Sequence, residues 1–220
     1  MKICSIITGV IRPNADRVFE NIKTTLSTLS DYDCTHYALT YETEEYKKLK
    51  TLIDNSDLNI ELISIDPILE TIGNHNGNNY RMFRCIEILC KHVDMVEGLD
   101  SFDCIIRHRI DCELNSIEIP SIMEHNTYYA PDLPWGIFDN IGITSPDIFR
   151  KIFTTQEKTF LEKNPHDTLD ASIRDVGVIK KPFNFKKTLY QSNDEFVMGV
   201  RQWSRENRVF EYDGKWMSIH

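Results

Sequence analysis

The stretch Phe102-Asp103-Cys104-Ile105-Ile106-Arg107-His108-Arg109-Ile110-Asp111 constrains the fold more than any other part of this chain. Its apolar run reads as a buried strand, and it ends abruptly in two arginines and an aspartate. A buried strand that releases charge at its C-terminal end is where an open α/β sheet keeps its ligand. Arginines there suit phosphate oxygens, and the aspartate suits a divalent metal or a sugar hydroxyl. Arg107, Arg109 and Asp111 occupy alternate positions, so an extended strand projects all three to one side. The competing reading is a structural ion-pair network in which Asp111 simply neutralises the arginines.

Around this strand, helical and extended patterns alternate. Lys2 to Thr8 reads as a strand, broken by Gly9 and Pro13. Asn14 caps a helix to about Leu29, with Val18, Ile22, Leu26 and Leu29 along one face. His36–Tyr41 is a second strand and Ile60–Ile65 a third; between them Thr43 caps an amphipathic helix carrying Tyr46, Leu49, Leu52 and Ile53. Gly73 to Asn79 is a loop of turn formers, followed by a helix from about Tyr80 to Val96. Thr127 to Ala130 reads as a short strand. Ser145-Pro146-Asp147 starts a helix ending near Phe153, with a capping serine, proline at the first helical position and an acid at the positive dipole end. A helix over Thr168 to Asp175 leads to a strand over Val176 to Ile179, and beyond Lys180 the periodicity weakens. The predicted class is α/β, a mixed and mainly parallel sheet flanked by helices in one domain.

Composition narrows the function. With 220 residues, 41% of them hydrophobic, the chain can bury a substantial core and is not disordered as a whole. Lys plus Arg number 25 against 34 Asp plus Glu, a net −9 that argues against a general nucleic-acid binder but leaves room for a local phosphate pocket. The six cysteines show no Cys-x-x-Cys spacing and read as reduced core thiols in a reducing compartment. Met1 to Ile7 is too short and too soon followed by Arg12, Asp16 and Arg17 for a leader, and no run approaches the ~18 apolar residues of a membrane span. The expected location is cytoplasmic: that of the cell, peripheral to a membrane, or that of a host for a viral protein.

Three further constellations carry chemistry. Thr8, Gly9 and Arg12 follow the first strand, a turn that receives nucleotides in α/β folds. Asn79, Arg81 and Arg84 open a helix, where backbone amides meet anions and where two arginines one turn apart would share a diphosphate. Trp135 to Gly142 places Asp139 among aromatic residues and glycines, so that Trp135 and Phe138 would wall a sugar and Asp139 would act as general base. Each has a plainer reading: an exposed helix end for the arginines, a turn capped by Asp139 for the last. No Gly-x-Gly-x-x-Gly, Walker or Gly-x-Ser-x-Gly pattern occurs, and the histidines lack metal-ligand spacing.

Taken in order, these segments resemble a family. Phe102 to Asp111 resembles the Tyr-Asp-x-apolar-apolar-Arg-x-Arg-x-Asp strand of small bacterial and viral glycosyltransferases, among them the WavE-type lipopolysaccharide enzymes and related capsular-polysaccharide enzymes. Phe138 to Pro146 resembles their downstream segment before a helix, and the Asn79 to Lys91 helix sits where their arginine-bearing helix sits. The likeness spans about Lys2 to Ile179. It implies a GT-A-type fold and transfer of a sugar from a nucleotide diphosphate donor to a glycan or lipid-linked glycan acceptor. On that basis residues 1–112 would form the nucleotide-sugar half, 113–180 the acceptor half and 181–220 a wrapping tail. Thr8, Gly9, Arg12, Asn79, Arg81 and Arg84 would hold the donor, Arg107 and Arg109 would stabilise the leaving diphosphate, and Asp139 would serve the acceptor.

One departure from the pattern matters. Most GT-A enzymes carry Asp-x-Asp at this strand end to hold a divalent metal, whereas this chain has Arg109-Ile110-Asp111. Asp111 is then either a ligand to Mn2+ or Mg2+, or the arginines neutralise the diphosphate without a metal. The alternative outside catalysis is a nucleotide- or carbohydrate-binding α/β module that has lost turnover.

Overall fold

The computed structural model describes residues 1–66, 77–130, 132–133, 136–137, 141–154, 165–181, 185–191, 208–212 and 217–219. The amino-terminal half alternates strand and helix: β1 (Lys2–Thr8), α1 (Ala15–Thr28), β2 (Asp33–Tyr41), α2 (Glu44–Asp54), β3 (Glu61–Ile65), α3 (Gly77–Val96) and β4 (Cys104–Arg109). Two of the three predicted caps form: Asn14 accepts from the Arg17 amide at 2.9 Å, and Thr43 from the Tyr46 amide at 3.2 Å. Then come β5 (Cys112–Ile117), β6 (Thr127–Tyr129), the short pair β7 (Asp132–Leu133) and β8 (Gly136–Ile137), β9 (Ile141–Thr144), α4 (Pro146–Phe153), α5 (Pro165–Asp175) and β10 (Ile179–Lys181). The tail adds β11 (Phe185–Gln191), β12 (Arg208–Tyr212) and β13 (Met217–Ile219).

Seven strands make the main sheet in the order β10-β6-β9-β4-β1-β2-β3. Strands β1 to β4 are mutually parallel where they pair, and β9 runs antiparallel between β4 and β6. This is the mixed, mainly parallel α/β sheet that the sequence predicts. Ile7, Val18, Ile22, Ala38, Leu49 and Ile53 join α1 and α2 to one face. Cys4, Ile6, Leu39, Phe83, Ile86, Ile105, Ile148 and Phe149 join α3 and α4 to the other. Removing each such large apolar side chain from water is worth roughly 1.5–3 kcal/mol, which is why the strands read as continuous apolar runs.

Several boundaries differ from the sequence reading. Helix α3 begins at Gly77, three residues before the expected Tyr80, so the turn formers Gly77, Asn78 and Asn79 lie within its first turn. Ser145 occupies the N-cap of α4 but makes no side-chain capping bond. The strand expected over Val176 to Ile179 starts only at Ile179, because Val176 and Gly177 turn there and Gly177 has φ +68°. Neither β5 nor β9 is foreseen by the sequence. Strand β5 leaves the main sheet and pairs with β11, continuing through β12 to β13. Its Leu114 is served by α1: the amide donates to Thr25 Oγ1 at 3.2 Å, and the carbonyl accepts from Thr28 Oγ1 at 2.8 Å. Among the described residues, no helix is long and apolar enough to cross a membrane.

Candidate functional site

The order of the sheet locates a crevice. From β1 the chain steps outward to β2 and β3, then returns to place β4 on the other side of β1. The connections on the two sides of that line lie on opposite faces, so they part at the carboxyl ends of β1 and β4, where sheets of this topology have the opening that takes a ligand. Thr8 and Arg109 are register partners at that opening. The Ile110 amide donates to the Thr8 carbonyl at 3.0 Å, and the Gly9 amide to Leu39 at 3.3 Å. Gly9 has φ +144°, and a Cβ there would lie 3.3 Å from Ile110 Cγ2, so a glycine lets β1 turn away against the end of β4.

Thr8 continues the row of Cys4 and Ile6, which pack beneath α3. It is 2% exposed, and among the described residues its Oγ1 has no hydrogen-bond partner. Such a group is costly in a folded protein and points to a contact still to be made.

Asp111 lies past the end of β4, in the turn before β5, so the expectation of three charges alternating along one strand is corrected. Arg109 and Asp111 meet because the arginine folds back. Its Nε donates to Asp111 Oδ1 at 2.8 Å and its Nη2 to Oδ2, a bidentate pair. The Arg109 side chain is 22% exposed and that of Asp111 only 2%, so the guanidinium faces outward over the carboxylate.

Arg107 is placed differently from Arg109. It is wholly buried, with its guanidinium carbon 5.6 Å from the centre of the Phe153 ring. Its burial keeps it from contact at the surface. Opposite it in the β4–β9 pair stands Gly142. The buried Tyr128 ring fills the space beside this glycine: a Cβ at 142 would lie 2.0 Å from the Tyr128 hydroxyl oxygen and 2.4 Å from Cζ. Sequence reasoning places Gly142 in the segment around Asp139 without a role of its own and passes over Tyr128; the glycine inside an otherwise apolar Ile-Gly-Ile-Thr run is the signal that marks a close approach.

On α3, Arg81 is buried and Arg84 half-buried, held to Glu87 at 2.6 Å. Burial pushes the Tyr41 phenol well above its ordinary pKa, the neighbouring Cys85 adds to this, and the Arg81 charge pulls it back. Cys85 Sγ donates to Tyr41 Oη at 3.5 Å, and burial pushes the thiol up to about 11. Tyr41 and Cys85 are site neighbours that the sequence does not single out, although Tyr41 sits at a strand's carboxyl end, the place to look. Asn79 lies in the first turn of α3 and Arg12 in the half-buried segment after β1. Trp135, Phe138 and the expected base Asp139 lie outside the described residues.

Asp111 fits a divalent metal poorly. Both of its oxygens accept from a guanidinium, and a cation bound there would stand against that charge. Among the described residues, no group of three or more His, Cys, Asp or Glu side chains is arranged to hold one.

No protein-family model matches this sequence. No curated protein matches it either. Among solved structures, the chain is similar to the galactosyltransferase LgtC, crystallised with donor and acceptor sugar analogues, at 14% identity and a TM-score of 0.45; the alignment covers 77% of this chain and 69% of that one.

Proposed function

We propose that this protein is a GT-A-type glycosyltransferase that binds a nucleotide diphosphate sugar in the crevice between β1 and β4. The observation that supports this reading is the meeting of Thr8 and Arg109 at the line where the chain's course across the sheet reverses. An open α/β sheet takes its ligand at such a line, and here its lining is cationic. Arg109 faces the opening, Arg107 lies below it, and Arg81 joins from the helix that covers the same face. Fixed cations beside a diphosphate favour charge that grows as the donor bond breaks. The motif likeness to small bacterial and viral glycosyltransferases points the same way.

In the proposed reaction an acceptor hydroxyl oxygen bonds to the anomeric carbon of the donor sugar while the bond from that carbon to the diphosphate oxygen breaks. The nucleoside diphosphate leaves with the electron pair, and, if the reaction inverts configuration, the hydroxyl proton passes to a base, assigned to Asp139 from the sequence. The acceptor is a glycan or a lipid-linked glycan.

The test is a thermal-shift panel of UDP-, GDP-, CMP- and dTDP-sugars, followed by an assay for nucleotide release with the donor that binds. Ligand binding to the native state raises the melting temperature by mass action. The expected result is selective stabilisation by one nucleotide diphosphate sugar and release of its nucleoside diphosphate, with turnover lowered by about a hundredfold or more in Arg109→Ala. Selective binding without release would favour a binding module, and no shift with any donor would reject the reading.

A further inference from the structure

Asp111 occupies the place where the related sequence pattern carries a metal-binding acid, yet its surroundings are those of an anion receptor. Its oxygens are held from the outside by Arg109, and its side chain is almost fully shielded while the guanidinium remains partly exposed. Cys112 Sγ, a weak donor, also lies 3.9 Å from Oδ1. A ligand that enters the crevice therefore meets the cation first. A metal ion bound to either oxygen would sit beside that guanidinium charge.

We infer that this site binds the diphosphate of its nucleotide without a divalent metal, with Arg109 as the phosphate-facing cation and Asp111 as the residue that positions it. The inference rests on the function proposed above and adds to it how the leaving group's charge is balanced. A guanidinium fixed by a bidentate carboxylate loses little rotamer freedom when an anion arrives, and its planar fork matches phosphate oxygens. Asp111 is a positioning residue here, acting through Arg109 rather than touching the substrate.

The experiment measures Kd for nucleoside mono- and diphosphates with the full chain, once with chelator and once with manganese, in the wild type and in Asp111→Asn. The variant keeps one acceptor oxygen and the side-chain volume. The inference expects wild-type diphosphate affinity to be the same within about twofold with chelator and with manganese, which is less than one weak contact is worth. It also expects Asp111→Asn to weaken diphosphate binding by roughly tenfold, the loss of one charge-assisted constraint, while monophosphate binding changes less. A purely structural role for Asp111 would weaken both ligands alike and would overturn the assignment of positioning. Diphosphate binding that appears only with manganese would overturn metal independence and leave the proposed glycosyltransferase reading intact. No binding of any nucleoside diphosphate under either condition would sink both.

Discussion

Thr8 and Arg109 are register partners, the last residues of β1 and β4, on either side of the line where the chain reverses its course across the sheet. One brings a buried hydroxyl that has no hydrogen-bond partner among the described residues, the other a partly exposed guanidinium. Their adjacency puts a neutral donor and a cation side by side at the carboxyl ends of two parallel strands.

The hydroxyl of Thr8 supports a stability–function prediction. Thr8→Val replaces it by a methyl group of similar shape and removes an unsatisfied buried polar atom. The free protein is expected to be unchanged or stabilised by up to about 1 kcal/mol, while binding of the nucleotide sugar weakens by roughly threefold or more. Urea titration and calorimetric titration of the same preparation check both halves. A variant that loses stability but keeps full affinity would make Thr8 a packing residue.

Gly142 is expected to tolerate no side chain. In Gly142→Ala the new methyl would overlap the Tyr128 ring in the buried core beside Arg107, a form of overpacking that costs about 1–3 kcal/mol. For a domain of this size that lowers Tm by roughly 2–4 °C per kcal/mol. In a double-mutant cycle with Tyr128→Ala the two changes should cost less together than the sum of each alone, by at least about 0.5 kcal/mol. Strict additivity would show that the ring is not what forbids the side chain.

His36 gives the fold a dependence on pH away from the site. Its side chain is buried on β2, and burial lowers its pKa from 6.5 to about 4. The unfolded chain therefore binds a proton across that window that the folded chain does not. The stabilisation from keeping His36 neutral is complete above pH 6.5 and is lost as pH falls toward 4, by up to about 3 kcal/mol at 1.36 kcal/mol per pKa unit. Urea titrations of wild type and His36→Leu at about pH 7.5 and about pH 4.5 test this, and the variant should lose less stability between the two. Equal losses would assign the acid sensitivity to other groups.

Most of the framework is legible in the sequence because its signals are local. The caps at Asn14 and Thr43, the apolar run before Arg107 and the Ser145-Pro146 helix start each depend on a few neighbouring residues, and the elements they mark are present. What escapes prediction depends on partners distant in the chain. Strand β9 is hidden by Gly142, whose need arises from Tyr128, and β5 is hidden because its partners are threonines of α1 and a strand of the tail. The site is legible in part for the same reason. The charges at the end of β4 stand out locally, whereas the burial of Arg107 and Arg81 and the folding back of Arg109 onto Asp111 follow from packing alone.

The central claim is that a nucleotide sugar occupies the crevice between β1 and β4. The most direct measurement is amide chemical-shift mapping of the isotopically labelled protein during titration with the stabilising nucleotide sugar. The account predicts that the largest changes fall at Thr8, Gly9, Arg109 and Ile110, with smaller ones near Tyr41 and Arg81, and that Arg109→Ala removes them at the same ligand concentration. Saturable changes centred elsewhere, with these amides unmoved, would contradict it.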